Sequence, residues 1–270
     1  MGCLSVDGIV CGIAQLDNEV FVASESSTSI AVFSFQGRQN FSKQQDVVVG
    51  ELTTPPRDIA ASAKFEKLFV AGCGGVWQLA RSSWGQWKME GQAVTKVEPV
   101  SLSVNATRLL VTERRRLTVL DIDKRKRKLT SLPENVRAEH ALETSWGTFV
   151  VCGRVAAEKP GVMEVNRRGG VVRMCDPRYL GLPCYLSAFS GDEADFLAVD
   201  SVNQSVILLS SGLDVVRVFL DRHHDGVAQP RRVVKYGYFL VGHSKSSDDR
   251  LGLVSLYGPH KSALQPLPDQ

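Results

Sequence analysis

The sequence of 270 residues has no apolar run of the roughly 18 residues that a membrane-spanning helix needs. It also lacks a basic leader before the short apolar segment at its start, and Asp7 interrupts that segment, so no secretory signal is predicted. No stretch of helical length repeats its apolar residues with the period of an α-helix, which disfavours a helical fold. We therefore expect a cytoplasmic protein that does not engage a membrane.

Cysteine is present, but in no pattern that builds a metal site or a disulfide framework. The six cysteines stand far apart, no two form a CxxC pair, and none joins a histidine at zinc-like spacing. Most lie in or beside apolar runs, where a free cysteine behaves as a small hydrophobic residue. The sequence therefore predicts reduced cysteines, no metal ion and no cofactor.

Charge of one sign is not in large excess either. The net charge is +3, with 23% charged and 43% hydrophobic residues, close to the proportions of an ordinary soluble globular protein. This balance does not by itself predict a polyanionic partner. The apolar residues are mostly β-branched or small, which favours strands over helices.

A short apolar run recurs along the chain at near-even spacing. Its six copies, FVAS, FVAG, LVTE, FVVC, FLAV and FLVG, begin at Phe21, Phe69, Leu110, Phe149, Phe196 and Phe239. A strand-like run precedes each copy and one or two more follow it, bounded by Gly, Asn, Asp, Ser or Pro. Four short strands in a unit of roughly 40–50 residues are the signature of a β-propeller blade.

Six such units predict an all-β fold, a six-bladed β-propeller of four-stranded antiparallel blades, as a single domain over residues 1–258. The approximate blades are residues 8–52, 53–93, 95–138, 139–178, 179–229 and 230–258. The last unit lacks an evident fourth strand, so we expect the N-terminal residues to supply it and close the ring. Residues 259–270 are Pro-rich and are expected to form a C-terminal tail. A β-sandwich with a second domain and a fragment of a longer propeller are the alternatives, but neither predicts the even spacing.

One hairpin carries a more specific pattern. The segment LAVDSVNQSVILLS (197–210) resembles an NHL repeat, in which an Asp ends one strand, an Asn follows three residues later and a second apolar strand comes next. The resemblance is clearest over residues 139–258. It implies a six-bladed propeller that serves as an interaction surface, since NHL propellers bind protein or RNA partners. From the residues themselves we expect Asp200 and Asn203 to shape the turn by bonding local backbone groups.

Propeller topology places the inter-blade connections and the turns between second and third strands on one face, at the mouth of the central channel. Candidate partner-binding residues on this face are Arg114, Arg115, Arg116, Arg178, Tyr179, Arg222, His223, His224, Arg231, Arg232 and His243. Acidic residues are interspersed with these arginines, so we predict a monomeric, non-enzymatic scaffold that binds a protein or peptide there. Single-stranded RNA binding through the arginines of blades 3, 5 and 6 is the alternative, because phosphate contacts need positive charge. DNA binding is not expected.

Two further features suggest other functions. The run DKRKRK (123–128) resembles a nucleic-acid patch or a nuclear import signal, but its strand-like flanks predict a solvated hairpin turn on the opposite face. A calcium-dependent lactonase or esterase is a third alternative by fold analogy. The acids near the inner strands, Asp58, Glu98 and Glu143, are scattered, whereas calcium needs several convergent oxygens. We expect the four tryptophans to pack between blades or at their rims.

Overall fold

The regular structure of the protein is almost entirely β-sheet. The computed structural model describes residues 3–35, 41–50, 52–155, 159–189, 195–236, 238–244 and 251–257. These residues form 24 strands in six four-stranded antiparallel sheets, which confirms the predicted six-bladed propeller. The few helical turns are Ala63–Phe65, Pro177–Tyr179 and a single α-helical turn, α1 (Arg222–Asp225). Within the described ranges, no helix combines the length and apolar character needed to cross a membrane.

The strands follow the chain blade by blade, except that the first strand, β1 (Cys3–Asp7), belongs to the last blade. Blade 1 contains β2 (Val10–Leu16), β3 (Glu19–Ser24), β4 (Ser29–Phe35) and β5 (Phe41–Val48). Blade 2 contains β6 (Asp58–Ser62), β7 (Lys67–Gly72), β8 (Gly75–Arg81) and β9 (Trp87–Thr95). Blade 3 contains β10 (Ser101–Asn105), β11 (Arg108–Glu113), β12 (Arg116–Asp121) and β13 (Arg127–Ser131). Blade 4 contains β14 (Val136–Glu143), β15 (Phe149–Val155), β16 (Lys159–Val165) and β17 (Val171–Met174). Blade 5 contains β18 (Pro183–Ala188), β19 (Phe196–Asp200), β20 (Ser205–Leu209) and β21 (Val215–Asp221). Blade 6 contains β22 (Ala228–Tyr236), β23 (Tyr238–Ser244), β24 (Leu251–Tyr257) and β1.

The ring closes by pairing the first strand of the chain with the last. Strand β1 lies antiparallel to β24, with Cys3 opposite Ser255 and Asp7 opposite Leu251. Leu4 points into the apolar layer between blades 6 and 1 and is 6% exposed. The two ends of the described chain are therefore joined in one sheet, which completes the sixth blade.

The core lies between the blades rather than in one central mass. Each recurring apolar run lies on the second strand of its blade, and its first residue is at most 2% exposed; these residues are Phe21, Phe69, Leu110, Phe149, Phe196 and Phe239. Neighbouring blades pack through such residues; for example, Phe21 of blade 1 makes an edge-on contact with Trp87 of blade 2, with ring centroids 5.1 Å apart. Both faces of a middle strand are thereby buried, which explains why these strands are apolar at consecutive positions.

The outermost strands differ most from the sequence prediction. Strand β5 begins at Phe41, whereas the apolar run QDVVVGEL places it at 45–52. An outer strand is exposed to solvent along one side, so it needs no continuous apolar run. The sequence of β5, FSKQQDVV, is accordingly mostly polar in its first half. A search for apolar runs therefore misses the polar first half of such a strand.

Strand direction defines two faces of the ring. We call the face that carries the inter-blade connections and the turns between second and third strands the upper face. The lower face carries the turns between first and second strands and between third and fourth strands. The DKRKRK run lies, as predicted, in the hairpin between the third and fourth strands of blade 3, since β12 ends at Asp121 and β13 begins at Arg127. The run therefore lies on the lower face.

Candidate binding site

An open cavity of about 1220 Å³ lies on the upper face over blades 1 to 4. We call it the upper basin. Inter-blade connections supply Pro55, Pro56, Arg57, Glu98 and Val100, and the turns between second and third strands supply Glu25, Glu113, Arg114, Arg115 and Arg116; Cys11, Ser131, Arg137 and Glu139 complete the wall. Both kinds of upper-face loop therefore line a single cavity.

The basin is lined by charges of both signs, and several of them neutralise one another. Arg116 donates from Nε and Nη2 to the two carboxylate oxygens of Glu113, at 2.7 and 2.6 Å. Arg57 lies 3.6 Å from the Glu98 carboxylate. Arg114 and Arg115 are exposed, and neither forms an ion pair within the described part of the chain. These two guanidinium groups are thus the cations of the basin that are available to a partner.

The turn that carries Arg114 and Arg115 is held in place by its backbone. The carbonyl oxygen of Arg114 accepts from the amide of Ala138, and that of Arg115 accepts from the amide of Leu132, both at 2.9 Å. These bonds tie the turn between β11 and β12 to the connection between blades 3 and 4. Both arginine side chains are therefore presented from a fixed backbone, which lowers the entropy lost when they bind a partner.

Beside the basin, near the propeller axis, lies a buried polar cluster, which we call the axial cluster. Arg232 of β22 donates from Nε to Oδ1 of Asp58, the first residue of β6, at 3.3 Å. The Arg232 guanidinium also lies 4.7 Å from the ring centroid of Tyr185, and that ring packs against His140 with centroids 3.8 Å apart and an angle of 37° between the ring planes. Leu102 donates its amide to Oδ2 of Asp58 at 2.9 Å. The cluster joins the inner strands of blades 2 to 6.

Hydrogen bonding fixes the protonation of His140. The Leu186 amide donates to Nδ1 at 3.3 Å, so the ring proton sits on Nε2, which lies 3.2 Å from the Leu102 carbonyl oxygen. Burial lowers the pKa of His140 to about 3, and the nearby Arg232 charge acts in the same direction. Burial also raises the pKa of Asp58 to about 6, against the lowering effect of Arg232. The imidazole of His140 is therefore neutral near pH 7, whereas the carboxyl group of Asp58 exchanges its proton near pH 6.

A narrower cavity of about 320 Å³ lies along the axis on the lower side of the axial cluster. Its walls are mostly small or apolar residues of the six inner strands, such as Ala14, Ala60 and Val233. Leu102, Tyr185 and Leu186, which contact or belong to the axial cluster, also line this cavity. The cluster thus lies between the upper basin and the lower channel.

A second upper-face cleft of about 590 Å³ lies at blade 5. Tyr179, Arg222, His223 and His224 line it together with Asn203. His224 donates from its amide to Oδ1 of Asp221 at 2.7 Å, and its Nδ1 lies 2.8 Å from Oδ2 of the same residue. This local bonding fixes the helical turn that carries the histidines.

The Asp200–Asn203 turn shapes the same region. Oδ1 of Asp200 accepts from the amides of Leu182, Val202 and Asn203, and Oδ2 accepts from Gly181 and from the Asn203 side-chain amide. These bonds confirm that Asp200 and Asn203 shape the turn between β19 and β20. Asp200 also fixes the connection that enters blade 5, a role that the sequence did not predict.

The candidate residues from the sequence fall into separate places. The upper basin is lined by Arg114, Arg115 and Arg116, and the blade 5 cleft is lined by Tyr179, Arg222, His223 and His224. Arg178 lies beside that cleft and pairs with Asp176 at 2.7 Å. Strand β22 carries Arg231 and Arg232, and β23 carries His243. Arg232 belongs to the axial cluster and keeps 12% of its side chain exposed. His243 is buried, and Ser255 lies 2.8 Å from its Nε2. Arg232 and His243 therefore face the interior.

Sequence reasoning did not predict the axial cluster. Asp58, His140 and Tyr185 lie on the inner strands of different blades, about two repeats and one repeat apart, but the residue type differs from blade to blade. A weak signal was available, because each is a polar or ionisable residue next to apolar residues of an inner strand. That signal indicates a buried polar group without identifying its partner.

The cysteines form no disulfide among the residues that the structure describes. All six cysteines are free thiols. Among the residues that the structure describes, no group of three or more His, Cys, Asp or Glu side chains is placed to hold a metal ion.

Comparison with known proteins identifies the fold but not a family. No protein-family model matches the sequence, and no curated protein matches it. Among solved structures, the WD40 β-propeller domain of Doa1 is 12% identical with a TM-score of 0.59, over 97% of this chain and 96% of that chain. Virginiamycin B lyase from Staphylococcus aureus is 10% identical with a TM-score of 0.61, over 96% and 88%. A chain in a nidogen/laminin complex is 13% identical with a TM-score of 0.60, over 79% and 80%. At such low identity these similarities establish that the chain is a β-propeller.

Proposed function

We propose that the protein is a non-enzymatic interaction scaffold that binds a segment of a protein partner in the upper basin. The observation that carries this proposal is the basin itself, which combines an open volume of about 1220 Å³ with two exposed arginines on a fixed turn. Small-molecule sites are usually enclosed clefts of roughly 300–1,000 Å³. A wider and open cavity suits a peptide or a loop of another protein.

The charges of the basin define the chemistry of this partner. Arg114 and Arg115 present planar guanidinium groups, which bind carboxylates through paired hydrogen bonds. Glu25 and Glu139 are exposed at other parts of the wall, where they suit a basic side chain. We infer a partner segment with an acidic residue at its centre and a basic residue near it.

The structural relatives and the repeat pattern support the same function. One similar chain comes from a structure described as a nidogen/laminin complex, an assembly of two proteins. We propose that the blades are diverged NHL repeats, because the Asp200–Asn203 turn in blade 5 forms the local bonds that this motif suggests. The six free thiols also support the proposal of a reducing, cytoplasmic location.

The upper face supports the two alternative functions less well. Arg116 and Arg232 each pair with a carboxylate, so two of the arginines assigned to RNA are already neutralised. A calcium-dependent hydrolase needs convergent oxygen ligands, and the described residues place no such group together.

The test reverses two charges on each face. Arg114→Glu with Arg115→Glu changes the upper basin, and Lys124→Glu with Lys126→Glu makes the same change in net charge on the lower face. Proteins captured from a nuclease-treated extract by the unchanged protein would be identified, purified and titrated against both variants. We expect the upper-face variant to weaken binding at least about 100-fold, because two charge-assisted hydrogen-bonding groups are lost. The lower-face variant should bind within about twofold of the unchanged protein. Equal affinity for the two variants would contradict the proposal.

A further inference from the structure

The hairpin between β12 and β13 presents five cations on the lower face. Lys124, Arg125, Lys126, Arg127 and Lys128 are all exposed. The Asp121 amide donates to the Lys126 carbonyl at 2.9 Å, and Oδ1 of Asp121 accepts from the Lys124 amide at 2.9 Å. The hairpin therefore has a defined backbone, and its cations are held close together. We call these five residues the lower basic hairpin.

Acidic side chains compensate only part of this charge: exposed Asp123 lies in the same turn, and Lys128 is among the cations that oppose the rise in the pKa of Glu143 that burial causes. Asp121 is engaged in the turn, and no ion pair joins Lys124, Lys126 or Lys128 to another residue within the described ranges. Glu90 of blade 2 is near enough to Arg125 for the positive charge to help lower the pKa of Glu90. That carboxylate already accepts from Gln78 and Lys67, at 2.5 and 3.1 Å. The lower basic hairpin thus keeps most of its positive charge for a ligand.

An exposed indole lies on the same face of the neighbouring blade. Trp84 belongs to the turn between β8 and β9 and is 87% exposed, contrary to the expected packing of the tryptophans. The turn is rigid, because the Ser82 amide donates to the Gln86 carbonyl at 2.7 Å and the Gly85 amide donates to the Ser82 carbonyl at 2.9 Å. Leu129 lies in the middle of the outer strand β13, opposite Thr118, and is 62% exposed. Two third-to-fourth-strand turns on the lower face therefore carry cations and an exposed indole.

We propose that the lower face of blades 2 and 3 docks on an anionic phospholipid bilayer. Basic residues near such a surface are attracted to its negative potential, and Trp is favoured where headgroups meet hydrocarbon. A flat surface can contact the tips of neighbouring turns together. The sequence expectation of no membrane partner rested on the absence of a spanning run, and attachment to a surface needs no such run.

A bilayer fits the observations better than a nucleic acid does. The cleft between blades 2 and 3 is lined by Lys67, Glu90 and Arg125, and Lys67 pairs with Glu90 at 3.1 Å, so the cleft adds little positive charge for a phosphate backbone. A bilayer remains outside the cleft. Burial of the Trp84 indole is favoured by contact with lipid, whereas phosphate contacts do not require an exposed indole.

The test measures binding of the full chain to vesicles of 30% phosphatidylserine and 70% phosphatidylcholine, and to vesicles of phosphatidylcholine alone. We expect binding only to the anionic vesicles, with an affinity that falls as salt is raised. Each basic residue near the surface contributes about fivefold to affinity, so Lys124→Glu with Lys126→Glu should weaken binding at least about 30-fold. Arg114→Glu with Arg115→Glu is the matched control, since it makes the same charge change on the upper face and should bind vesicles normally.

Trp84 provides an independent measurement. Its fluorescence should shift to shorter wavelength when vesicles are added, because the indole leaves water. Trp84→Phe should keep vesicle binding but lose most of this shift, whereas Trp84→Ser should lose the shift and weaken binding. Equal vesicle binding by the two double-charge variants would overturn the proposal. So would binding to a randomised 12-nucleotide single-stranded RNA without binding to the vesicles. Neither outcome bears on the upper basin, whose partner is tested separately.

Discussion

Replacing Asp58 with asparagine should remove one of two opposing proton-linked effects in the axial cluster. Burial raises the pKa of Asp58 from its ordinary 3.8 to about 6, although Arg232 opposes the shift. Burial lowers the pKa of His140 from 6.5 to about 3. Both groups reach Arg232 or Tyr185, so the same packed cluster imposes both shifts.

The two groups affect stability with opposite signs. Between pH 3.8 and about 6, the folded protein keeps a proton on Asp58 that the unfolded chain has released. Raising the pH through this window therefore costs about 3 kcal/mol of stability, since one pKa unit corresponds to about 1.4 kcal/mol. His140 stays neutral in the fold while the unfolded chain takes up a proton below pH 6.5. Lowering the pH from there to about 3 costs about 5 kcal/mol.

In the unchanged protein these contributions cancel over most of the range from about pH 6 to about pH 4. In Asp58→Asn only the contribution of His140 remains. Acidification through that range should therefore lower the free energy of unfolding of this variant by about 3 kcal/mol more than that of the unchanged protein. In His140→Gln only the contribution of Asp58 remains. Acidification over the same range should therefore raise its free energy of unfolding by about 3 kcal/mol relative to the unchanged protein. Asparagine keeps an acceptor oxygen for the Leu102 amide, and glutamine keeps both hydrogen-bonding functions.

The assay is urea denaturation at steps of one pH unit, with each variant compared with the unchanged protein at every pH. Other carboxylates contribute equally to both and cancel in the difference. Parallel pH profiles for Asp58→Asn and the unchanged protein would refute the reasoning. Such a result would mean that Asp58 titrates at its ordinary pKa in the fold.

Three further substitutions test the fold by urea denaturation. Asp200→Ala should cost about 3–5 kcal/mol, because four backbone amides lose a buried carboxylate as their acceptor, and a loss under about 1 kcal/mol would show that water replaces the carboxylate. Gly169→Ala should lower the free energy of unfolding by about 3 kcal/mol more than Gly74→Ala. The two glycines have similar φ angles, 86° and 80°, but only at Gly169 would the added Cβ meet a backbone oxygen, that of Ser131, at 2.0 Å. Similar losses at both glycines would contradict this geometry. Leu4→Ala should cost about 2–4 kcal/mol if β1 is packed in solution, whereas Leu129→Ala should change stability by less than about 0.5 kcal/mol; equal effects would indicate that the closing strand is detached.

Local sequence patterns were sufficient to predict the blades. The recurring apolar runs, such as those that begin at Phe21, Phe69 and Phe196, are buried between neighbouring blades. Each of the six blades needs one such buried run, and the sequence therefore repeats it six times. Turn chemistry was equally local, as in the Asp200–Asn203 turn. Strand β5 was harder, because an outer strand tolerates polar residues and its start at Phe41 carries little apolar signal.

The candidate site depended on contacts that no local pattern encodes. Topology placed Arg114 and Arg115 on the upper face, where both line the basin, and binding of a partner to them stays a prediction. Arg232 pairs with Asp58, 174 positions away, and keeps only 12% of its side chain exposed, which the sequence did not indicate. Whether an arginine is free or neutralised depends on such distant partners, and composition alone does not reveal them.

The axial cluster lies between the two cavities of the propeller. Arg232, Tyr185 and His140 lie across the axis between the upper basin and the lower channel, and Asp58 anchors them to blade 2. The upper basin and the lower channel are therefore two separate cavities. In the upper basin Arg116 pairs with Glu113 and Arg57 with Glu98, which leaves Arg114 and Arg115 for the partner that we propose. Under the two proposals, a protein segment binds on the upper face while the lower basic hairpin contacts an anionic bilayer.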